Sequence, residues 1–589
     1  MNLDLVIVIT YLVVTLLIGF LFQKLGQKNI SSFFRGGGGM MWWMVGTTVF
    51  MTQFSAVTFT ANAAKAYSDG VTILAVFLGN AFGFLVAYFF FAAKYRQANV
   101  DTGGEIVRAR YGKFGEQFFM WSNIPNSLVS TGLWLNGLAI FIAAILGWEI
   151  STVIWVVGLS VTAISVMSGT WGIVASDFIQ GLIVVLVSLF MAVVALVKIG
   201  GVGNMVEQFP TNFLLGNGMN YGVIVLGSFL FYIIRQIQTN NTMFSAYRFL
   251  NARDTANAKK GALLAMSLML LGMCIWFIPA WVSAIIYPDA PEVFASTLGS
   301  RSKEAIYVVF AQRAMPLGTT GLLAAALFAA TMSSMDSAIN RDAGILIKSF
   351  YLPVIRKGKA SHSELMRMSI IMSIIMGLLT IGVSLFYNQL RGLSLFDLSM
   401  QVATLIQTPI MVPLVFGMLI RKTPDWSGWA TSLVGLFLSY LLLPNHILHI
   451  NQVVGWFNLE LTSRELADLN IIWNVVVHLF LTGGFFVATK LFYKEPVGER
   501  KRELEEFYHN IDTPVIKATT DQEQLDLDRQ QRGKMGVLVM ITGGLISLLL
   551  FVPNPMWVRF VFAMTGLLLV LFGYWMRGGF SQNKNGGNK

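Results

Sequence analysis

Apolar residues gather in this chain into long runs, not into the short alternating stretches of strands. The first run covers 3–23 (LDLVIVITYLVVTLLIGFLFQ). Others follow near 41–67, 71–93, 118–147, 151–168, 171–199, 219–247, 261–287, 316–350, 366–387, 395–420, 427–445, 469–489, 535–552 and 556–576. A helix needs about 20 apolar residues to cross a bilayer, so the pattern predicts an all-α polytopic membrane protein with about fifteen spans. The first run has no basic lead-in and no small-residue cleavage site, which predicts a retained helix and not a signal peptide. One polar stretch, 494–533, interrupts the series. Its GERKRELEEFYHN segment mixes both charge signs at helical spacing and predicts a solvated cytoplasmic linker.

Composition narrows the class. Of 589 residues, 55% are apolar and 12% charged, a balance that would leave a soluble fold with large exposed apolar patches. A soluble enzyme, a disordered chain and a nucleic-acid binder are excluded. The net charge of +11 acts as an orientation signal. With the N-terminus outside, inner loops hold Lys94, Arg96, Arg108, Arg110, Arg253, Lys259, Lys260, Arg356, Lys357, Arg421 and Lys422, while outer loops hold mainly Arg301, Lys303, Arg313, Arg391 and Arg464. The C-terminus then lies in the cytoplasm and the chain in the plasma (inner) membrane. A single cysteine, Cys274, excludes an intrachain disulfide and a Cys-based metal site. His446 and His449 read as a loop pair without an acidic helper. No Walker-type motif or nucleophile–base pair occurs, which argues against an ATP-driven pump and against an enzyme.

Polar groups are costly in lipid unless they face a cavity or a partner, and four clusters intrude. Thr52, Gln53, Ser55, Thr58 and Thr60 sit in the second span, which predicts a locally unwound helix with free carbonyls; plain Ser/Thr packing between helices is the alternative. In the ninth span Ala330, Ser333, Ser334 and Ser337 share one face at i, i+3, i+4 and i+7, beside Asp336 and Asn340. Such hydroxyls and carbonyls form a hard-oxygen shell suited to a small hard cation. Asp177, flanked by Ser176 and Gln180, enters the sixth span, where it is either buried beside a cation or snorkelling to the interface. Arg235, Gln236, Gln238, Asn240, Asn241 and Thr242 crowd the seventh.

Spans two and seven are both interrupted and lie five apart, the pattern of two inverted five-helix repeats with broken first helices. This sets the expected organisation: a peripheral helix and inner loop (1–40), a first repeat (41–205), a second, inverted repeat (206–422), peripheral helices (423–493), the linker (494–533) and two C-terminal helices with a tail (534–589).

Over residues 1–450 the chain resembles the sodium:solute symporter family, which contains the sodium/sugar cotransporters. AATMSSMDSAIN (329–340) is similar to the family's sodium-binding helix. WGIVASDFIQ (171–180) resembles its acid-then-Gln motif, TGGEIVRARYG (102–112) its cytoplasmic loop, and SAYRFLNARDTANAKKG (245–261) the segment after its broken helix. The resemblance implies a LeuT-like core of spans two to eleven. It also implies sodium (Na+) as coupling ion, held by the carbonyls of Met51, Phe54 and Ala330 and the hydroxyls of Ser333 and Ser334. Some members carry a second sodium site, which maps here to Asp177, Asp336 and Ser337. An acid at 336 departs from the serine expected there, and two carboxylates suit a tighter second sodium or a proton.

The implied function is sodium-coupled symport of a small polar solute, a sugar or sugar-derived acid. The candidates for contact with it are Gln53, Ser55, Thr58, Asn80, Asn136, Arg235, Gln238, Asn241, Thr242 and Gln401. The acid that sugar-transporting members place soon after Ser55 is absent, and an aromatic gate position reads Phe244. Arg235 either faces the cavity and meets a carboxylate, or pairs with Asp336, Asp177 or Asp397 and is structural. The rivals are a transporter-like sensor, for which 494–533 is too short, a channel, and a sodium- or proton-coupled carrier of another organic acid or amino acid. The expected partners are the solute, sodium and the bilayer, with no nucleic acid and no obligate protein partner.

Overall fold

The computed structural model describes residues 3–26, 30–390, 395–456, 460–516 and 522–578. Arg391, the 517–521 part of the linker and the tail from 579 lie outside them, as does the side chain of Asp397. The described chain is helical throughout, and its one isolated β-bridge joins Met40 to Ala252. Eleven helical segments among the described residues are long and apolar enough to cross a membrane. The main helices are α1 (Leu3–Gly26), α2 (Trp42–Met51), α3 (Ala61–Asp69), α4 (Leu74–Val86), α5 (Gly103–Leu146), α6 (Ile150–Ile199), α7 (Gly222–Asn240), α8 (Thr255–Ile275), α9 (Thr319–Ile345), α10 (His362–Gln389), α11 (Gln522–Ser547) and α12 (Met556–Gly578).

Eleven against the expected fifteen has local causes. The second span is split into α2 and α3, neither long enough to cross alone. The helix at Ser427–Leu441 has 15 residues. α1, at 24 residues, and the first part of α6 stand outside the eleven because the unbroken run of described side chains there covers only Leu3–Thr15 and Ile150–Val166. The expected fifth and sixth spans are joined in α6, whose 50 residues amount to about 75 Å of helix, far more than one crossing needs.

The sequence explains several boundaries. α5 begins at Gly103, well before its apolar run, because Thr102 and Glu105 form a capping box in which Glu105 Oε2 accepts the Thr102 N–H at 2.9 Å. Gly112 takes φ +74°, a left-handed conformation that glycine adopts without steric cost, and lets α5 kink. α4 packs against α7 through Gly79 and Gly83, where a β-carbon would meet Gln236 and Asn240. That close approach brings Asn80 to the polar side of α7. α9 is enclosed almost throughout, with nearly all of its side chains buried.

The described parts of 494–533 make contacts that composition alone does not indicate. The helix Gly498–Asp512 buries Leu504, Phe507 and Ile511. Arg500 pairs with Asp425 through two bonds of 2.8 and 3.0 Å, and Arg421 pairs with Asp512 at 2.6 and 2.8 Å. Further on, Arg253 meets Asp528 at 2.8 Å, and the buried Gln531 bridges the Met41 N–H and the Gly39 carbonyl just before α2. The described parts of the stretch, on either side of 517–521, lie against the loops that carry Arg253, Arg421 and Asp425. Opposite charges on one helix looked like solvation, but the partners of Arg500 and Asp512 are distant in sequence.

Candidate ion and solute site

The helical ladder of the second span ends at Met51, and helix resumes as α3 only at Ala61. A short 3-10 turn, Ala56–Thr58, lies between, capped by the Ser55 hydroxyl, which accepts the Val57 N–H. The freed groups find partners on α9. Ser334 Oγ lies 3.1 Å from the Met51 carbonyl and 2.6 Å from that of Phe54, and donates to them. The Ala56 N–H donates to Thr331 Oγ1 at 2.8 Å. Three of the five expected sodium ligands, Met51, Phe54 and Ser334, are therefore in mutual contact, and Ala330 lies one turn before Ser334, fully buried. The ring of Trp276, where α8 gives way to the next helix, packs on Phe54 with centroids 4.4 Å apart and closes one side of the break.

Ser333, the fifth expected ligand, makes no hydrogen bond within that contact. Its hydroxyl is buried and faces the Asp177 carboxylate, though the geometry falls short of a hydrogen bond. Asp177 is fully buried on α6, so it does not snorkel to the interface. One of its oxygens accepts from Thr48 Oγ1 on α2, and the other has no partner. Asp336 repeats the arrangement: one oxygen accepts from Ser165 Oγ, and the other is buried without a partner. Neither carboxylate pairs with a basic side chain among the described residues. Ser337 is buried nearby and lines a small polar pocket with Thr48, Thr170 and Asn340. The unspent oxygens of Asp177, Ser333 and Asp336 are hard, anionic or neutral donors, the set that a small hard cation takes.

A cavity of about 250 Å³ opens beside the break, and a second of about 130 Å³ adjoins it; both are lined by Gln53, Trp134, Gln236 and Ser334. Of the expected solute contacts, Arg235 and Thr242 line the larger, Ser55, Thr58 and Asn80 the smaller, and Gln53 both. The other four lie outside the walls. Asn136 is consumed by structure, accepting from Arg301 at 3.0 Å and donating to the Ser384 carbonyl at 3.1 Å. Asn241 caps α7 by donating to the Ile237 and Gly83 carbonyls. Gln238 is buried away from both cavities, and Gln401 is exposed. Gln407, two turns further on, lines the cavity in its place.

The wall also contains residues not expected from the sequence. Asn123, Asn126, Ser127, Ser130 and Trp134 of α5 fall at i, i+3, i+4, i+7 and i+11, one polar stripe on one helical face. That stripe is visible in the sequence. Arg248 and Arg341 complete the wall; Arg341 donates to Ser127 Oγ at 2.6 Å and to Asp342 at 2.9 Å.

The sequence model of the sodium:solute symporter family matches residues 33–435. The chain is 24% identical over 453 residues to the sodium/sialic acid symporter SiaT of Proteus mirabilis, covering 73% of this chain and 86% of the relative. It is 22% identical over 477 residues to a sodium/mannose cotransporter of Bos taurus (73% and 76% covered), and 23% identical over 476 to the sodium/myo-inositol cotransporter 2 of Rattus norvegicus (75% and 70% covered). Among solved structures, a Na+-coupled sialic acid symporter in a substrate-bound, outward-open state superposes with a TM-score of 0.64 at 19% identity, covering 84% of this chain and 98% of that one. The fold is the same.

Proposed function

The chain belongs to the sodium:solute symporter family, and from that premise we propose how its site couples sodium to a solute. Sodium sits at the break between α2 and α3, held by the carbonyls of Met51, Phe54 and Ala330 and the hydroxyls of Ser333 and Ser334. A sugar or sugar-derived acid occupies the adjoining cavity. Both cross the plasma membrane together by alternating access, in a chain of about fifteen spans with two inverted repeats at 41–205 and 206–422, N-terminus outside. A second cation binds at Asp177, Asp336 and Ser337.

The observation that carries this reading is the contact of Ser334 with two backbone carbonyls of the broken span. Carbonyls freed from a helical ladder and turned to one hydroxyl are the oxygen cradle a small cation needs. The cradle joins α2 to α9, and the cavity wall shares Gln53 and Ser334 with it. An ion that draws these helices together therefore organises the solute site, and by linkage the solute raises affinity for the ion by the same factor.

The test is sodium-driven uptake in proteoliposomes. Ser333→Ala and Ser334→Ala are expected to abolish sodium dependence while leaving the protein folded. Wild-type uptake rates in both variants would refute the ion site.

A further inference from the structure

Arg235 projects from α7 into the wall of the larger cavity. Its Nη1 donates to the Gln236 side chain at 3.0 Å, and its Nε is buried without a partner. Of the acids the sequence offered it, Asp177 is engaged by Thr48 and Asp336 by Ser165. Among the described residues no carboxylate pairs with Arg235. Arg248 lines the same cavity: its Nη1 donates to the Asn240 carbonyl at 3.3 Å, and its Nε is also buried and unpartnered. Among the described residues, only the third arginine of the wall, Arg341, is matched by an acid, Asp342. No Asp or Glu side chain among the described residues lines the cavity.

A buried charge needs a counter-charge, and a membrane protein keeps an ionisable group in its interior where that group meets a ligand or a partner. The hydroxyls of a neutral sugar would leave both guanidinium groups uncompensated. A carboxylate accepts two parallel bonds from a guanidinium and cancels its charge. The polar chain behind Arg235 holds the cavity wall in place. Gln236 and Asn240 each donate to Asn80 Oδ1 at 3.1 Å, and Gly79 and Gly83 allow α4 to come close enough for those bonds.

We propose, building on the symport reading above, that the solute is an organic anion of the sugar-acid class, with its carboxylate held by Arg235 and its charge shared with Arg248. Neutral hexoses and inositols are not its substrates. Arg235 is the specificity-determining residue, and Gln236 and Asn80 position it.

The test uses the purified full-length chain and matched probe pairs: glucuronate with glucose, galacturonate with galactose, and N-acetylneuraminate with N-acetylmannosamine. Thermal stability is read in sodium and in potassium. At least one acid is expected to raise the melting temperature in sodium while its neutral counterpart does not, with affinities about tenfold to a hundredfold apart. Arg235→Gln is expected to lose the acid response and keep the shift caused by sodium alone, which shows that the variant is folded. Arg235→Lys keeps the charge without the fork and recovers the response in part. A neutral probe binding as well as its acid overturns the proposal. So does an acid response that survives Arg235→Gln, or the failure of every acid to bind in the presence of a sodium shift. Loss of the sodium shift in the wild-type protein counts against the symport reading instead.

Discussion

Thr331 shows how one side chain fixes the break. It accepts the N–H of Ala56, a buried backbone donor that the interrupted helix cannot satisfy. Thr331→Val keeps the volume and removes the acceptor, and is expected to cost about 1–3 kcal/mol. A lower melting temperature with a blunted response to sodium is the outcome to measure, and Thr331→Ser is expected to restore both. The serine pair beside it was legible in the sequence because the adjacent hydroxyls of Ser333 and Ser334, with Ser337 one turn on, stand out in an apolar run. Thr331 was not, because its role depends on an amide 275 positions away. Asn136 and Asn241 lie outside the cavity walls for the mirror-image reason: an amide in a membrane helix satisfies a loop or a cap as readily as a ligand, and only geometry separates the two.

At the scale of elements, the linker makes contacts through its described parts, 498–516 and 522–531, that the sequence reading did not anticipate. It lies beyond the stretch that matches the family, yet it ties the Arg421–Asp425 loop to Thr255 and to the start of α2. Hydropathy could not reveal this, since a helix that docks through ion pairs has the same composition as a solvated one. The Arg421 guanidinium beside Asp512 holds that carboxyl below its usual value. A depressed carboxylate pKa contributes stability above the unfolded value near 4 and loses it as pH falls through the folded one. Protection factors within 498–512, corrected for the intrinsic pH dependence of amide exchange, are therefore expected to fall from about pH 5 downward, more so at low salt, because the pair is exposed and screened. Asp512→Asn is expected to flatten that pH dependence. Gln531 behaves differently, being buried and uncharged. Gln531→Leu strands the Met41 N–H and the Gly39 carbonyl, and is expected to lower stability by about 1–3 kcal/mol at any pH.

For the whole molecule, the spacing of apolar runs was enough to show a helical protein with many membrane crossings, though not their number, and the polar residues of the second span fall where α2 gives way to α3. What it could not supply was the number of charges moved per cycle, because that depends on which intruding charges are paired. The structure leaves Asp177 and Asp336 facing neutral partners and Arg235 facing the cavity. If two sodium ions accompany one anionic solute, each cycle carries one net positive charge inward. At −100 mV and a tenfold sodium gradient the driving energy then supports accumulation on the order of several thousand-fold. With one sodium the charges cancel, the membrane potential does no work, and the same gradient supports about tenfold. Asp177→Asn removes a carboxylate from the proposed second cation site and leaves the Ser334 contacts with Met51 and Phe54 in place. In proteoliposomes clamped at a series of potentials, the wild-type accumulation ratio is expected to rise with inside-negative voltage. In Asp177→Asn the ratio is expected to fall towards tenfold and lose its voltage dependence. A variant that accumulates as steeply as the wild type would remove Asp177 from the coupling mechanism.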